Sequence, residues 1–371
     1  MRKIRVLIVD DSVVVRRIVT RMLSDEPDIE VVGTAANGRI ALARLQGLNP
    51  DAIVLDVEMP EMDGLATLAA LRKTHARLPV IMFSTLTERG ASATLDALSL
   101  GASDYVTKPS SIAMPASLEA VRQELIGKLK LFCSGPAETV AQAGRSAKSA
   151  LPPALFAAPE RAHRKPAEIV AIGVSTGGPN ALAELMPGFP AELAVPLLIV
   201  QHMPPIFTRL LAERLAARSR IPIMEAQSGQ LVRPGHAYLA PGDFHLVVER
   251  RGDHVHLRTN QEPPENWCRP AADVLFRSVA SAYRGAALAV VMTGMGQDGL
   301  RGCEEIRRAG GQVLAQDEAS SVVWGMPGFV VRAGLADRVA PLGELAGEIM
   351  QRVRNANTGQ VKSPSIPRTQ L

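Results

Sequence analysis

Five short runs rich in β-branched and apolar residues, Ile4–Val9, Glu30–Thr34, Ala52–Leu55, Val80–Phe83 and Asp104–Val106, space out the first 131 residues, with amphipathic stretches such as Val13–Leu23 and Gly64–Thr74 between them. Short buried runs alternating with helical periodicity read as strand, crossover helix, strand. Parallel neighbours need such a crossover, so the pattern predicts a five-stranded parallel, doubly wound sheet. The chain of 371 residues is longer than one core usually organises, which points to two domains. Residues 134–166 are rich in Ala, Pro, Ser and basic side chains without a sustained apolar period, as a linker is. The expected division is a first domain at 1–133, a linker at 134–166, a second domain at 167–354 and a polar tail at 355–371 that is expected to be disordered.

In the second domain the expected strands are Glu168–Val174, Pro196–Gln201, Ala237–Ala240, His245–Glu249, His254–Arg258, Ala287–Met292 and Gln312–Ala315. Its outer parts are strand-then-helix units and its middle is hairpin-like. That is a second doubly wound α/β domain with an added β-hairpin region.

Composition narrows the function classes. A hydrophobic fraction of 47% with 21% charged residues is that of a soluble globular protein. The start, MRKIRVLIVDDS, is interrupted by Asp10 and Asp11 well short of a signal peptide's apolar stretch, and no run approaches the ~20 residues of a membrane span. Cys133, Cys268 and Cys303 are far apart, with no C-x-x-C pair for zinc or redox work, so a reducing, cytoplasmic setting is expected. The net charge of +4 is dispersed rather than striped, and no basic recognition helix stands out. Neither nucleic-acid binding nor membrane insertion is expected.

Strand ends carry the chemistry. Asp10 and Asp11 close the first run, Asp56 the third and Ser84 the fourth, while Lys108 follows the fifth. In an open parallel sheet these ends converge on one crevice. Three carboxylates repel one another there unless a cation sits among them, and hard oxygen ligands suit Mg²⁺. A carboxylate between metal and lysine can accept a phosphoryl group. Taken singly, each residue reads equally as a helix cap or a turn.

The segments VDDS, LDVEMPEMDG, FSTLT and DYVTKP resemble the receiver domain of bacterial response regulators. The resemblance implies that Asp56 is the phosphoacceptor and that Asp10 and Asp11, with the Glu58 carbonyl, serve Mg²⁺. It further implies that Lys108 pairs with the phosphoryl group and that Ser84 and Tyr105 are switch residues.

In the second domain GVSTGGP follows a strand and fits G-x-S-x-G through Gly173, Ser175 and Gly177. Small flanking residues allow a tight reversal that exposes the Ser175 hydroxyl. The same pattern also suits an N-cap at Ser175 or Thr176 with Pro179 in the first helical turn, and alone it does not choose. A nucleophilic serine needs a base, and His202 stands directly after Pro196–Gln201. His75 and His163 read as surface and linker residues, His236 adjoins a turn, and His254 and His256 share one face of a strand. Asp298, in TGMGQDG after Ala287–Met292, is placed to orient the imidazole. The chain order Ser, His, Asp is not that of α/β-hydrolases, so G-x-S-x-G does not import that fold. Gly294-Met295-Gly296-Gln297-Asp298-Gly299, with Asp317 beyond, also matches a dinucleotide fingerprint, although Asp298 would place a carboxylate where pyrophosphate must sit. Arg269-Pro270 and the prolines after His202 suit cleft shaping and turn punctuation equally.

AIGVSTGGP, VQHMPP, PGHAYLAPGDFHL, RPAADVLF and MTGMGQDG resemble the catalytic domain of the chemotaxis protein-glutamate methylesterase/protein-glutamine glutaminase family. The resemblance implies hydrolysis of glutamate methyl esters, and deamidation of selected glutamines, on the cytoplasmic helices of methyl-accepting chemoreceptors. It implies Ser175, His202 and Asp298 as catalytic residues without an esterase cofactor, and a chemotaxis histidine kinase as phosphodonor. Backbone N–H groups near Thr176 or Met295 are the candidate oxyanion donors. The receiver is expected to cover the esterase cleft until Asp56 is phosphorylated.

Overall fold

The structure, a computed structural model, describes residues 2–109, 115–133 and 165–354. Nearly all of the expected linker and the whole of the expected tail lie outside the described residues.

The first part alternates as expected: β1 (Ile4–Val9), α1 (Val13–Ser24), β2 (Ile29–Ala35), α2 (Gly38–Leu48), β3 (Ala52–Asp56), α3 (Gly64–Thr74), β4 (Val80–Ser84), α4 (Glu88–Ser99), β5 (Asp104–Thr107) and α5 (Pro115–Cys133). The strands form one parallel sheet in the order β2-β1-β3-β4-β5. Both faces are covered by helices, so the strands are near-continuous apolar runs: Val6, Leu7, Leu55 and Ile81 are fully buried. Each such side chain contributes about 1.5–3 kcal/mol relative to exposure.

The second part begins with β6 (Ile169–Val174), α6 (Gly178–Leu185), β7 (Leu197–Gln201), α7 (Phe207–Ala216), β8 (Ile223–Glu225) and β9 (Ala237–Leu239). The hairpin β10 (His245–Arg251) and β11 (His254–Asn260) and then α8 (Ala272–Tyr283) follow. The chain continues through β12 (Ala287–Val291), α9 (Leu300–Arg308), β13 (Gln312–Gln316), α10 (Met326–Arg332), β14 (Arg338–Ala340) and α11 (Leu342–Arg354). Seven parallel strands form the order β14-β13-β12-β6-β7-β9-β8, while β10 and β11 pair separately. The edge strands β8 and β14 were not expected from the sequence. Three residues are too few to display a period of two, and both strands pair on one side only.

Order reverses between β1 and β3 in the first sheet and between β6 and β12 in the second. Such switch points open a crevice beyond the C-terminal strand ends, where functional side chains collect. The two parts also touch. Tyr105 at β5 stacks on Phe207 at the start of α7, with centroids 4.9 Å apart and planes 9° from parallel. Arg214 on α7 binds Asp96 at 2.8 Å, Arg209 binds Glu88, and Asn180 on α6 donates to the Leu98 carbonyl at 2.9 Å. A cleft of about 150 Å³ between them is lined by Leu98, Ala102 and Phe132 on one side and Gly177, Pro179 and Val322 on the other.

Candidate active site

At the first crevice, Asp10, Asp11 and Asp56 bring carboxylate oxygens within 4.8 Å of one another. Asp10 and Asp56 are buried and Asp11 is exposed. Lys108 Nζ reaches both buried partners at 2.8 Å. Capping belongs to Ser12, which accepts the Val15 N–H, so neither Asp10 nor Asp11 is the cap of α1. Burial pushes the Asp56 carboxyl up to about 6, and the Asp10 charge adds to this against the hydrogen bond and charge of Lys108 and the Val57 N–H. An oxygen-only donor set with one ammonium for three carboxylates fits a hard divalent cation.

The remaining expected residues of this crevice stand around it. The Glu58 side chain turns away to Arg89 at 3.0 Å, so the cluster can use only its backbone. Ser84 is fully buried, and its hydroxyl donates to Gly90 O at 3.1 Å. Tyr105 is buried against the second domain rather than at the carboxylates.

At the second crevice three adjacent central strands deliver the expected residues. Ser175 follows β6, His202 follows β7, and Asp298 lies in the loop after β12. Backbone bonds knit these ends: Ser175 N–H to Thr293 O at 3.0 Å and His202 N–H to Val174 O at 3.2 Å. A Cβ on Gly294 would come within 2.8 Å of Ser175 Cβ, so this neighbour of Ser175 must be glycine. The N-cap of α6 is Gly177, at φ 78°, without a side-chain cap bond. The N-cap reading of Ser175 and Thr176 therefore fails.

Asp298 is 2% exposed. Its Oδ2 faces His202 Nε2 at 2.7 Å and also accepts the Ala272 N–H at 2.6 Å. Its Oδ1 accepts from the Asp273 N–H, the Gly299 N–H and Asn266 Nδ2 at 3.0, 3.1 and 2.9 Å. Ala272 and Asp273 open α8, so the carboxylate sits on a helix N-terminus whose free N–H groups and dipole favour negative charge. Burial pushes the carboxyl up, but His202 and these N–H groups outweigh it, and Asp298 is held below its ordinary value. An ionised carboxylate only accepts, so Nε2 carries the hydrogen and Nδ1 is the remaining acceptor of the ring. The Nδ1 atom lies 3.5 Å from Cys268 Sγ. Burial disfavours the imidazolium, yet the charges and hydrogen bonds of Cys268 and Asp298 prevail and push His202 up to about 10.

Thr176 is buried and its carbonyl accepts from Thr293 Oγ1 at 2.9 Å, while Met295 is half-exposed. The dinucleotide alternative fails on the same bonds, because the Asp298 carboxylate takes the Gly299 N–H and Asp317 closes a turn onto Ser320. Arg269 braces its loop through Asp243 at 3.0 Å. His254 and His256 take no part in a three-residue metal cluster among the described residues.

Sequence reasoning missed four residues. Gln201 is 2% exposed and donates to Ser175 O at 3.0 Å, and a Cβ on Gly178 would fall 1.9 Å from its Oε1. Asn266 bridges Asp298 and Asp273 at 2.9 Å each. Cys268 meets His202, and Asp273 is the buried neighbour that burial and the Asp298 charge push up to about 6. Asn266 and Cys268 stand in PPENWCRP, whose prolines signal only a turn.

A receiver domain whose output is an α/β domain with serine, histidine and aspartate at one crevice is the class that this fold and site define. Residues 6–117 match the family described as response regulator receiver domain, and residues 170–349 match CheB methylesterase. A protein-glutamate methylesterase/protein-glutamine glutaminase of Trichodesmium erythraeum is 54% identical over 95% of this chain and 100% of its own length. One of the same name from a Nocardioides species is 51% identical over 99% of this chain and 100% of its own. The crystal structure of the Thermotoga maritima CheB methylesterase catalytic domain is 39% identical, covering 50% of this chain and 98% of that one with a TM-score of 0.49. The chain belongs to the protein-glutamate methylesterase/protein-glutamine glutaminase family.

Proposed function

We propose that the chain hydrolyses glutamate methyl esters on the cytoplasmic helices of methyl-accepting chemoreceptors and deamidates selected glutamines there, under the control of Asp56 phosphorylation. The observation that carries the reading is the convergence of Ser175, His202 and Asp298 from adjacent strand ends, with His202 and Asp298 2.7 Å apart. Ser175 Oγ attacks the ester or amide carbonyl while His202 Nδ1 takes its proton. Asp298 holds the Nε2–H tautomer and stabilises the imidazolium. Backbone N–H groups near Thr176 or Met295 receive the developing oxyanion. His202 returns the proton to the leaving group, released as methanol or ammonia, and water then frees the glutamate by the same steps. No cofactor enters this chemistry.

In the receiver, Asp10, Asp11 and Asp56 would hold Mg²⁺, which would supply positive charge to neutralise phosphoryl oxygens. Asp56 accepts the group from a histidine kinase, and Lys108, already 2.8 Å from Asp56, pairs with it. Residues 1–133 and 167–354 act as regulatory and catalytic units joined by the linker. The contacts of α4 and β5 with α6 and α7, the helices after Ser175 and His202, support a covering role that phosphorylation relieves.

The test is methanol release from methylated receptor by the full chain, with and without phosphodonor. Ser175→Ala is expected to lose turnover by roughly four to six orders of magnitude while staying folded. Near-wild-type release by that variant would sink the assignment.

A further inference from the structure

The turn Glu265-Asn266-Trp267-Cys268 is closed by reciprocal backbone bonds, Glu265 N–H to Cys268 O at 3.1 Å and Cys268 N–H to Glu265 O at 2.9 Å. Its central residues both have positive φ, 52° at Asn266 and 64° at Trp267, a conformation costly for tryptophan. Packing of Trp267 does not offset that cost, for its side chain is 99% exposed. The turn is fixed instead from below. Arg277 grips both oxygens of Glu265 at 2.7 and 2.5 Å, and Asn266 is tied to Asp273 and Asp298. The result of this anchoring is that Cys268 Sγ is delivered to His202 Nδ1.

The proposed reaction needs that nitrogen. With Nε2 committed to Asp298, only Nδ1 can take the Ser175 proton, and an imidazole nitrogen has one lone pair in the ring plane. A sulfur accepting from protonated Nδ1 holds the proton that the ring must lose before it can serve as base. We propose that Cys268 is a positioning residue for the esterase reaction, its sulfur competing with Ser175 for Nδ1 of His202, so that this contact sets the fraction of enzyme with a free base. The inference rests on the reading of His202 as the base.

The charged surroundings agree. The groups about the pair are Asp298 on Nε2, Asp273 on α8 behind Asn266, and Glu265 neutralised by Arg277; Arg269 is committed to Asp243. Burial alone would lower His202, and the Cys268 charge is the first influence that raises it, ahead of Asp298. Removing the sulfur therefore moves the imidazole toward its ordinary value and frees the base at lower pH.

The experiment titrates His202 by imidazole ¹⁵N NMR in the full chain and in Cys268→Ala and Cys268→Ser. It also follows the pH dependence of kcat/KM for methanol release from a glutamate γ-methyl ester peptide. The expected result is a midpoint about one pH unit lower in the alanine variant, with the rising limb of kcat/KM moving in step. Turnover at neutral pH then rises about tenfold, mostly in kcat. Serine keeps a hydrogen-bonding group without the sulfur and is expected to fall between the two. Unchanged midpoint and limb in both variants would overturn the proposal, as would activity lowered at every pH with the limb in place. Ser175→Ala separates the layers: if it still releases methanol, the reading of the triad fails, and if it is inactive while the Cys268 variants titrate like wild type, only the role of Cys268 fails.

Discussion

Asp56 and Asp298 are nearly matched in position and opposite in state. Asp56 ends a parallel strand and Asp298 lies in the loop beyond one, each at a crevice; each is almost wholly buried, and each has one basic partner at bonding distance, Lys108 at 2.8 Å and His202 at 2.7 Å. Yet Asp56 is pushed up to about 6 while Asp298 is held below its ordinary value. The difference lies in their hydrogen-bond donors. Asp298 accepts three backbone N–H groups and an amide besides His202, and the repulsion from its neighbour is taken up by Asp273, itself pushed up to about 6. Among the described residues Asp56 accepts one backbone N–H, from Val57, and shares Lys108 with Asp10. A carboxylate short of donors among like charges is one that a metal and a phosphoryl group can complete. A carboxylate with every lone pair engaged is suited to hold another residue still.

The strongest test of this contrast uses the same isosteric change at both places. Asp298→Asn is expected to lower kcat for methanol release by roughly a thousand- to ten-thousand-fold with little change in KM, as loss of the tautomer-fixing carboxylate should. Asp56→Asn should leave basal release unchanged and abolish incorporation of phosphoryl label. Activity of Asp298→Asn within tenfold of wild type would break the comparison.

Stability gives a smaller effect of opposite sign at the two sites. A carboxyl raised in the folded state adds stability below its unfolded value that is lost as pH rises through the folded value, for Asp56 between about 4 and 6. At pH 7 without Mg²⁺, Asp56→Asn is therefore expected to stabilise the protein by about 1–2 kcal/mol, with the gain gone near pH 4. Asp298 is lowered, so its contribution is present above the unfolded value and lost as pH falls through the folded one. Asp298→Asn should destabilise at pH 7. Calorimetric melting of both variants across this range reads the two signs, and equal signs would contradict the donor argument.

The smallest expected effect sharpens the same point. Asn266→Ala removes one of the donors to Asp298 and should cost about tenfold or less in kcat, leaving phosphorylation of Asp56 untouched. Steady-state kinetics beside a phosphoryl-incorporation assay measures both.

Much of this is legible in the sequence. Apolar runs such as Val6–Val9 in the first part and Leu197–Val200 in the second reported two buried parallel sheets because side-chain patterning is a local property of the chain. Chemistry placed at or just after a strand's end, as at Asp10 and Asp56 in the first sheet and Ser175 and His202 in the second, could be assigned to one edge of its sheet because a parallel sheet points all its strand ends the same way. The three-residue strands at Ile223 and Arg338 escaped notice because they are too short to show a period. Asn266 and Cys268 escaped because nothing in a proline-flanked stretch tells which distant side chain it will meet.

By itself, then, the sequence determined the layered architecture and which residues arrive at each crevice. Tertiary structure alone decided how those residues are held. Only the folded chain sets Asp298 on the first turn of a helix that begins 26 residues before it, brings Cys268 to a ring nitrogen 66 residues away, and leaves Asp56 with a single backbone donor among the described residues. The state of a buried charge depends on donors and neighbours gathered across the chain, and those are fixed by packing rather than by local pattern.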